Sequence, residues 1–134
     1  MKIIDVRATI VAIPTRRVHR WGGGAFRGMN CIIVELRTDT GLVGYGESSG
    51  RCSGTPETVR VAVEAFGQRL KGFDPFEIER ARQMFFHEDR WINIGAFGGV
   101  VFAGIEMALW DLMGKSLNQP VHRLMGGALR DRIN

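Results

Sequence analysis

The alternation of apolar and polar positions over the first third of the chain predicts three β-strands. Over residues 2–13, apolar side chains from Ile4 to Ala12 share one face, and polar ones such as Arg7 take the other. This two-residue period is typical of a half-buried strand. Residues 31–38 and 42–47 alternate in the same way, and Asp39-Thr40-Gly41 between them has the composition of a tight turn. The pattern predicts a three-stranded antiparallel meander.

Two glycine-bearing segments interrupt this pattern. Pro14 is expected to end the first strand, because proline cannot donate a ladder hydrogen bond. Residues 15–29 include three consecutive glycines from Gly22 to Gly24, and residues 48–54 carry glycine and serine after the third strand. We expect both segments to be loops, and long loops in compact domains are usually functional or disordered.

The remainder of the chain has the period of helices. Thr55-Pro56-Glu57 predicts a helix start, with a hydroxyl cap, a proline in the first turn and an acid at the positive end of the dipole. Gly72 is the expected stop. Asp74-Pro75-Phe76-Glu77 predicts a second, reciprocally capped start. A third helix, about 97–115, is apolar on most sides and must therefore be covered on most sides.

Strands followed by helices predict an α+β fold, a three-stranded meander followed by a helical bundle. The length of 134 residues, 45% hydrophobic and 24% charged, fits one soluble globular domain. Cys31 and Cys52 lack the spacing of a metal or redox motif. The uncharged run 91–105 is too short to span a membrane. No signal peptide opens the sequence, so we expect a cytoplasmic protein.

The net charge is +4, but the basic residues are dispersed, without a clustered tract or a nucleic-acid-binding motif. We therefore expect neither a nucleic-acid nor a membrane partner. One local bias stands out between residues 14 and 30. That segment holds four arginines and a histidine with no acidic residue: Arg16, Arg17, His19, Arg20 and Arg27.

Three segments resemble the amino-terminal capping domain of the enolase superfamily, in its mandelate racemase/muconate lactonizing enzyme branch. They are TDTGLVGYGE at 38–47, KGFDPFEIE at 71–79, and AGIEMALWDLMGKSLNQPVHRLMGG at 103–127. The third is long and specific, and the resemblance covers the whole chain. It implies a capping domain over residues 1–115, with lid loops at 15–29 and 48–54, and a connector at 116–134 toward a (β/α)-barrel.

In that family the barrel carries the general bases and the carboxylates that bind a divalent cation, usually magnesium. The metal stabilises an enolate formed by proton abstraction next to a substrate carboxylate. The barrel is absent from this chain, which has no Lys-x-Lys pair. The resemblance therefore implies a Mg-dependent dehydratase or racemase as the parent enzyme. It places no catalytic residue and no metal ligand among these 134 residues, and we expect no activity from the chain alone.

The resemblance also implies that the two lid loops close over a carboxylate-bearing small molecule. Guanidinium groups pair well with carboxylates, so the arginine-rich loop suggests an anionic substrate such as a sugar acid or a dicarboxylate. Among the enzymes of the family it favours a dehydratase of sugar acids. The candidate substrate-binding residues are Arg20, Trp21, Arg27 and Arg51. Solvated surface charge is the alternative for the arginines, and packing beneath the loop is the alternative for Trp21. His19 is interpreted as a surface residue.

Three acidic residues are interpreted as structural. Glu47 is expected to end the third strand and to hydrogen-bond neighbouring backbone. Glu106 and Asp111 diverge by about 140° around their helix, and one of them is expected to pair with an arginine such as Arg123 or Arg130.

The rival function is a stand-alone, non-catalytic protein-binding module that uses the long helix. In either case, an uncovered apolar face on helix 97–115 predicts a homo-oligomer or self-association of the isolated chain.

Overall fold

A computed structural model describes residues 1–49, 55–88, 96–130 and 132. Three strands form one antiparallel sheet in the order β1-β2-β3, so the meander and the α+β class are confirmed. The strands are β1 (Ile3–Trp21), β2 (Gly24–Thr38) and β3 (Val43–Ser49). The helices are α1 (Pro56–Arg69), α2 (Ile78–Gln83, continued by a π-helical turn at Met84–Glu88), α3 (Ala96–Leu117) and α4 (Val121–Leu124).

The core lies between one face of the sheet and helices α1 and α3. Its centre is β2, where Ile32, Val34 and Leu36 are fully buried. These three side chains alternate with half-buried ones, as the sequence pattern predicts for a sheet covered on one side. The apolar stripe of α1 is buried against them through Val59, Ala62, Val63, Phe66 and Leu70.

Helix α3 lies on β3 at backbone-to-backbone distance, and glycines make this possible. A Cβ added at Gly46 would overlap the carbonyl oxygen of Gly104 on α3, and one added at Gly44 would overlap that of Ala108. The two strand glycines flank Tyr45 and therefore share one face of the sheet. Because Gly44 and Gly46 have no side chains, α3 can approach β3 this closely.

The predicted ends of α1 are confirmed. The Thr55 hydroxyl accepts a hydrogen bond of 3.4 Å from the backbone N–H of Thr58, and Pro56 opens the first turn. Gly72 follows the helix with φ +80°, a conformation that glycine adopts without strain. Gly72 also donates its N–H to the carbonyl of Ile3 at 2.8 Å, which ties the end of α1 to the start of the sheet.

The expectation of a long loop over residues 15–29 is wrong, because this stretch forms strand. β1 and β2 continue as a hairpin whose two-residue turn is Gly22-Gly23. Pro14 does not end β1, since β1 is an edge strand and needs no donor on its outer side. A register shift between Pro14 and His19 absorbs the irregularity.

Two smaller expectations also need correction. A register irregularity between Ile3 and Asp5 turns Ile3 into the core and leaves Ile4 55% exposed. Helix α2 begins at Ile78 rather than near Asp74. The Asp74 carboxylate instead accepts a 3.0 Å hydrogen bond from the N–H of Phe76, a local turn that precedes the helix.

Helix α3 is buried along one side and open along another. Its buried residues include Val101, Ile105 and Leu112, whereas Met107 on its other side is 45% exposed. With 22 residues and a mean hydropathy of 1.5, α3 is long and apolar enough to cross a membrane. A core helix has the same properties, and α3 packs on the sheet of this domain.

Candidate functional site

The hairpin of β1 and β2 extends well beyond the third strand. β3 pairs with β2 only from Cys31 to Arg37, so the two-stranded part before Cys31 stands alone. We call residues 12–30 the arm. Thr15 and Phe26 are its half-buried residues, and the rest of the arm is exposed. The arm is therefore a projection of the sheet beyond the helices, and it contains the whole acid-free basic segment.

Cross-strand pairing sorts the side chains of the arm onto two faces. His19 lies opposite Phe26, Arg20 opposite Ala25, and Trp21 opposite Gly24. Directly opposed residues share a face, and successive residues alternate. Trp21 and His19 are therefore on one face, and Arg20 is on the other.

The first of these faces is an aromatic cluster. The ring of Phe26 lies 4.9 Å from that of His19 and 5.8 Å from that of Trp21, measured between centroids. A Cβ at Gly23 would approach the Trp21 indole nitrogen to 3.0 Å, and one at Gly24 would approach the ring to 3.4 Å. The indole thus lies over the glycine backbone of the turn. Trp21 remains 48% exposed, so its ring can meet a ligand.

The opposite face of the arm carries arginine. Arg27 lies two residues from Ala25 on β2 and so shares the face of Arg20. Both arginines are exposed. The structure therefore brings Arg20 and Arg27 onto one surface and separates them from Trp21. The fourth candidate, Arg51, lies outside the described residues, as do residues 50–54 of the second predicted loop.

Phe26 is not among the candidate residues predicted from the sequence. His19, predicted to be a surface residue, is exposed and also contacts the Phe26 ring. A signal was present, because the two glycines after Trp21 are a recognised two-residue hairpin turn. A turn at Gly22-Gly23 places residue 19 opposite residue 26, which would have identified the aromatic cluster.

A thiol and a carboxylate meet where the arm joins the sheet. Cys31 is buried, and it shares a face of the sheet with Glu47 of β3. Hydrogen bonding to Glu47, then burial, then the negative charge of Glu47 raise the pKa of the Cys31 thiol. Glu47 was expected to end β3 and to bond the backbone. β3 instead runs on to Ser49, two residues beyond Glu47.

Asp111 of α3 bonds the sheet rather than an arginine. Its Oδ2 accepts a 2.8 Å hydrogen bond from the N–H of Tyr45 and a 2.5 Å one from Lys115 Nζ. Lys115 Nζ also donates to the carbonyl of Val43 at 2.7 Å. The expected pairing with Arg123 or Arg130 is therefore wrong for Asp111, because Lys115 is one helical turn away and the strand edge lies beside it.

Glu106 lies in an apolar groove between α3 and α4. The groove is lined by Ala103, Met107, Trp110, Val121 and Met125 besides Glu106 itself, with Met125 67% exposed. Glu106 is half-buried, and among the described residues no hydrogen bond or ion pair involves it. This groove is the uncovered side of α3.

Residues able to hold a metal ion do not converge in the described part of the chain. Over 1–49, 55–88, 96–130 and 132, no three histidine, cysteine, aspartate or glutamate side chains are grouped for a cation. These residues do not fit a magnesium centre of their own, and we assign them no metal-dependent step.

Comparison with known proteins decides the family. Residues 3–126 match the model of the mandelate racemase/muconate lactonizing enzyme N-terminal domain. The chain belongs to this family. Because residues 3–126 match a domain of an enzyme family, the alternative of a stand-alone binding module is not favoured.

The relatives that this N-terminal domain resembles are named for different reactions, among them a dehydratase and an epimerase. D-galactonate dehydratase of Variovorax paradoxus is 38% identical over 102 residues, covering 76% of this chain and 26% of that protein. The dipeptide epimerase of Enterococcus faecalis, crystallised with Mg and L-Leu-L-Tyr, superposes with a TM-score of 0.82 at 31% identity. That match covers 95% of this chain and 35% of the epimerase.

An enolase from Streptomyces coelicolor superposes with a TM-score of 0.84 at 32% identity, covering 98% of this chain and 33% of that protein. The chain thus spans between a quarter and about a third of the length of these relatives. Its similarity to them is similarity to their N-terminal domain.

Proposed function

We propose that this chain is the substrate-capping domain of a Mg-dependent enolase-superfamily enzyme, a dehydratase or racemase that abstracts a proton next to a carboxylate. The observation that carries the proposal is the arm. A family N-terminal domain here projects a basic, aromatic hairpin free of acidic residues beyond its own core. Such a projection can close over a ligand, exclude water and orient the ligand for chemistry on another domain.

The proposed substrate is a sugar acid. Arg20 and Arg27 lie on one exposed surface of the arm, and paired guanidinium donors match carboxylate geometry. Similarity to a D-galactonate dehydratase supports the same substrate class. Trp21 lies on the opposite face of the arm, so we propose it as an alternative contact to the two arginines, an apolar ring for the carbon face of a sugar. Arg51 of the second lid segment is proposed as a further contact.

Magnesium, in this proposal, is held by a barrel outside these residues and stabilises the negative charge of the enolate. The residues of this chain do not take the proton. They bind and orient the substrate and keep bulk water from the reacting carbon. We therefore propose that the chain is not catalytic alone, acts in the cytoplasm, and associates through α3.

A domain exchange tests the proposal. Residues 3–126 would replace the matching N-terminal domain of the Variovorax D-galactonate dehydratase, and dehydration of D-galactonate would be followed at saturating Mg²⁺. We expect activity from the chimera and none from the 134-residue chain. In the active chimera, Arg20→Ala or Arg27→Ala should raise KM roughly tenfold, from loss of about one charged hydrogen bond. Trp21→Ala should raise KM by a similar factor, from loss of the apolar area that its ring covers.

The matched control is Arg60→Ala, which removes a half-buried arginine, paired with Glu64, from α1, away from the arm. It should leave KM unchanged. If all three arm variants matched the control, the arm would not bind substrate, and a dipeptide or another acid should then be assayed.

A further inference from the structure

Helix α3 presents a second packing stripe on the side away from the sheet. Ala103, Glu106, Met107 and Trp110 lie at positions i, i+3, i+4 and i+7, which share one face of a helix. These four residues, with two from α4, line the apolar groove. The apolar surface continues past Trp110 to Phe76, which is 42% exposed. The spacing and the exposed apolar side chains indicate a face that packs against another segment.

Glu106 gives the groove a requirement for charge. Among the described residues that line the groove, it is the only charged one. Arg123 of the neighbouring α4 donates to the Gln119 side chain at 3.3 Å instead of pairing with Glu106. Complete burial of a carboxylate without a partner costs free energy. A segment that covers the groove must therefore bring a cation to Glu106.

A second copy of the chain does not meet this requirement. In a symmetric pair the same patch of both copies meets at the interface, so each groove would bring a glutamate and no cation. The association of isolated chains that we expect through α3 buries apolar area, but it leaves both carboxylates unpaired. Charge complementarity therefore favours a different occupant.

The relatives of the chain offer such an occupant. The match covers 26% of the Variovorax dehydratase and 33% of the Streptomyces enolase, so most of each relative lies outside the matched domain. In an enzyme of that length, the cover for the groove can come from the same polypeptide.

We propose that the groove is the docking surface for a segment of the barrel domain that carries a lysine or arginine between apolar side chains. Glu106 pairs with that cation, and Met107 and Trp110 pack against the apolar side chains on either side of it. Methionine suits this role because its flexible side chain adapts to a partner surface. The inference rests on the proposed function only in taking this chain as one domain of a larger enzyme, and it requires no particular substrate.

Glu106→Gln, compared in two settings, tests the proposal through thermal unfolding. In the 134-residue chain at low protein concentration, the substitution removes an unpaired, half-buried charge and should raise Tm by about 1 °C. In the chimera with the Variovorax dehydratase, the amide cannot replace the carboxylate in an ion pair, and Tm should fall by about 2 °C or more. The expected result is thus a change of sign between the two settings.

Glu64→Gln is the matched control, because Glu64 already pairs with Arg60 inside α1 at 2.7 Å. It should shift Tm in the same direction in both settings. A second variant, Met107→Lys, places a like charge beside the docked cation. It should lower Tm in the chimera and have little effect in the 134-residue chain, where Met107 is 45% exposed.

The proposal is overturned if Glu106→Gln shifts Tm in the same direction in both settings, or if Met107→Lys is harmless in the chimera. It is also overturned if residues 3–126 unfold in the chimera at the Tm of the isolated chain, because docked domains stabilise each other. An inactive chimera that still shows the change of sign would contradict the proposed substrate function and support the docking surface.

Discussion

Individual glycines set the distance between the sheet and its main helix. Gly44 and Gly46 leave no side chain between β3 and α3, so the helix backbone lies directly on the strand. Each of them is flanked by residues whose side chains point away from α3. The G-x-G pattern of the third strand is thus a packing requirement.

Substitution of Gly46 by alanine should destabilise the fold strongly. Its Cβ would overlap the backbone carbonyl of Gly104, which cannot move without shifting α3. We expect a loss of about 3 kcal/mol or more in the free energy of unfolding, measured by urea denaturation.

Gly99→Ala is the control, because Gly99 lies in α3 and a Cβ there would meet open space. This substitution should raise the free energy of unfolding by about 0.5–1 kcal/mol, the usual gain when alanine replaces glycine inside a helix. Equal effects from the two substitutions would contradict the close-packing account.

The Cys31 thiol should react slowly in mildly alkaline solution. Its pKa is raised by Glu47 and by burial, so less thiolate is present at a given pH. In a Cys52→Ser background, Glu47→Gln should lower the midpoint of the pH profile for alkylation of Cys31. Thr9→Val, a polar-to-apolar change on an exposed position of the same sheet, should leave that midpoint in place.

The raised pKa has a definite sign for stability. A group that holds its proton more tightly in the folded state stabilises the fold below its unfolded pKa, and this contribution is lost as pH rises through the folded pKa. The Cys31 contribution should therefore disappear on the alkaline side. Unfolding free energies that rose with pH in that range because of Cys31 would contradict the assignment.

At the scale of elements, the aromatic cluster should order the arm without supporting the core. Phe26→Ala removes the ring between His19 and Trp21. We expect faster amide exchange throughout residues 19–26 with little change in Tm, since two-stranded ribbons are only marginally stable. The comparison variant is Phe66→Ala in the core of α1, which should cost about 3–5 kcal/mol. If Phe26→Ala lowered Tm as much as Phe66→Ala does, the prediction that the aromatic cluster does not support the core would be wrong.

The elements buried against the helices could be predicted from sequence because burial imposes their period. Ile32, Val34 and Leu36 alternate with less buried residues, and α1 begins directly after its Thr55 cap and ends shortly before Gly72. The arm could not be predicted in this way, because it is exposed on both faces and no core imposes an alternation. Its pairing depends on local turn chemistry and on aromatic contacts across the strands.

Helix α2 shows a different cause of error. Asp74-Pro75-Phe76-Glu77 has the composition of a reciprocal cap, but the Asp74 carboxylate bonds the N–H of Phe76 two residues on. Short acidic side chains favour both turns and caps. The partner of Asp111 was missed for a related reason, since the edge of β3 supplies a backbone donor that no spacing on α3 reveals.

At the scale of the whole molecule, the uncovered side of α3 predicts self-association of the isolated chain. Met107 and Met125 are 45% and 67% exposed beside Trp110, and large apolar patches on monomers are uncommon. Met107→Lys with Met125→Lys should shift the chain toward monomer in sedimentation and reduce the binding of an apolar dye.

Val61→Lys is the control for that experiment, because Val61 is an exposed apolar residue on α1, 54% exposed, outside the groove. This substitution should change neither the sedimentation of the chain nor its binding of the apolar dye. If the unmutated chain sediments as a monomer and binds no apolar dye, the prediction that the groove on α3 drives self-association is wrong.

The stacking of Trp21 over the glycine turn has one more consequence. A lid that is a floppy loop must be immobilised when it closes, and the lost conformational freedom weakens binding. A tip that already holds its indole against its own backbone gives up far less motion on meeting a ligand. For the lid proposed above, most of the motion lost on closure would then be at the base of the arm, where it joins the sheet.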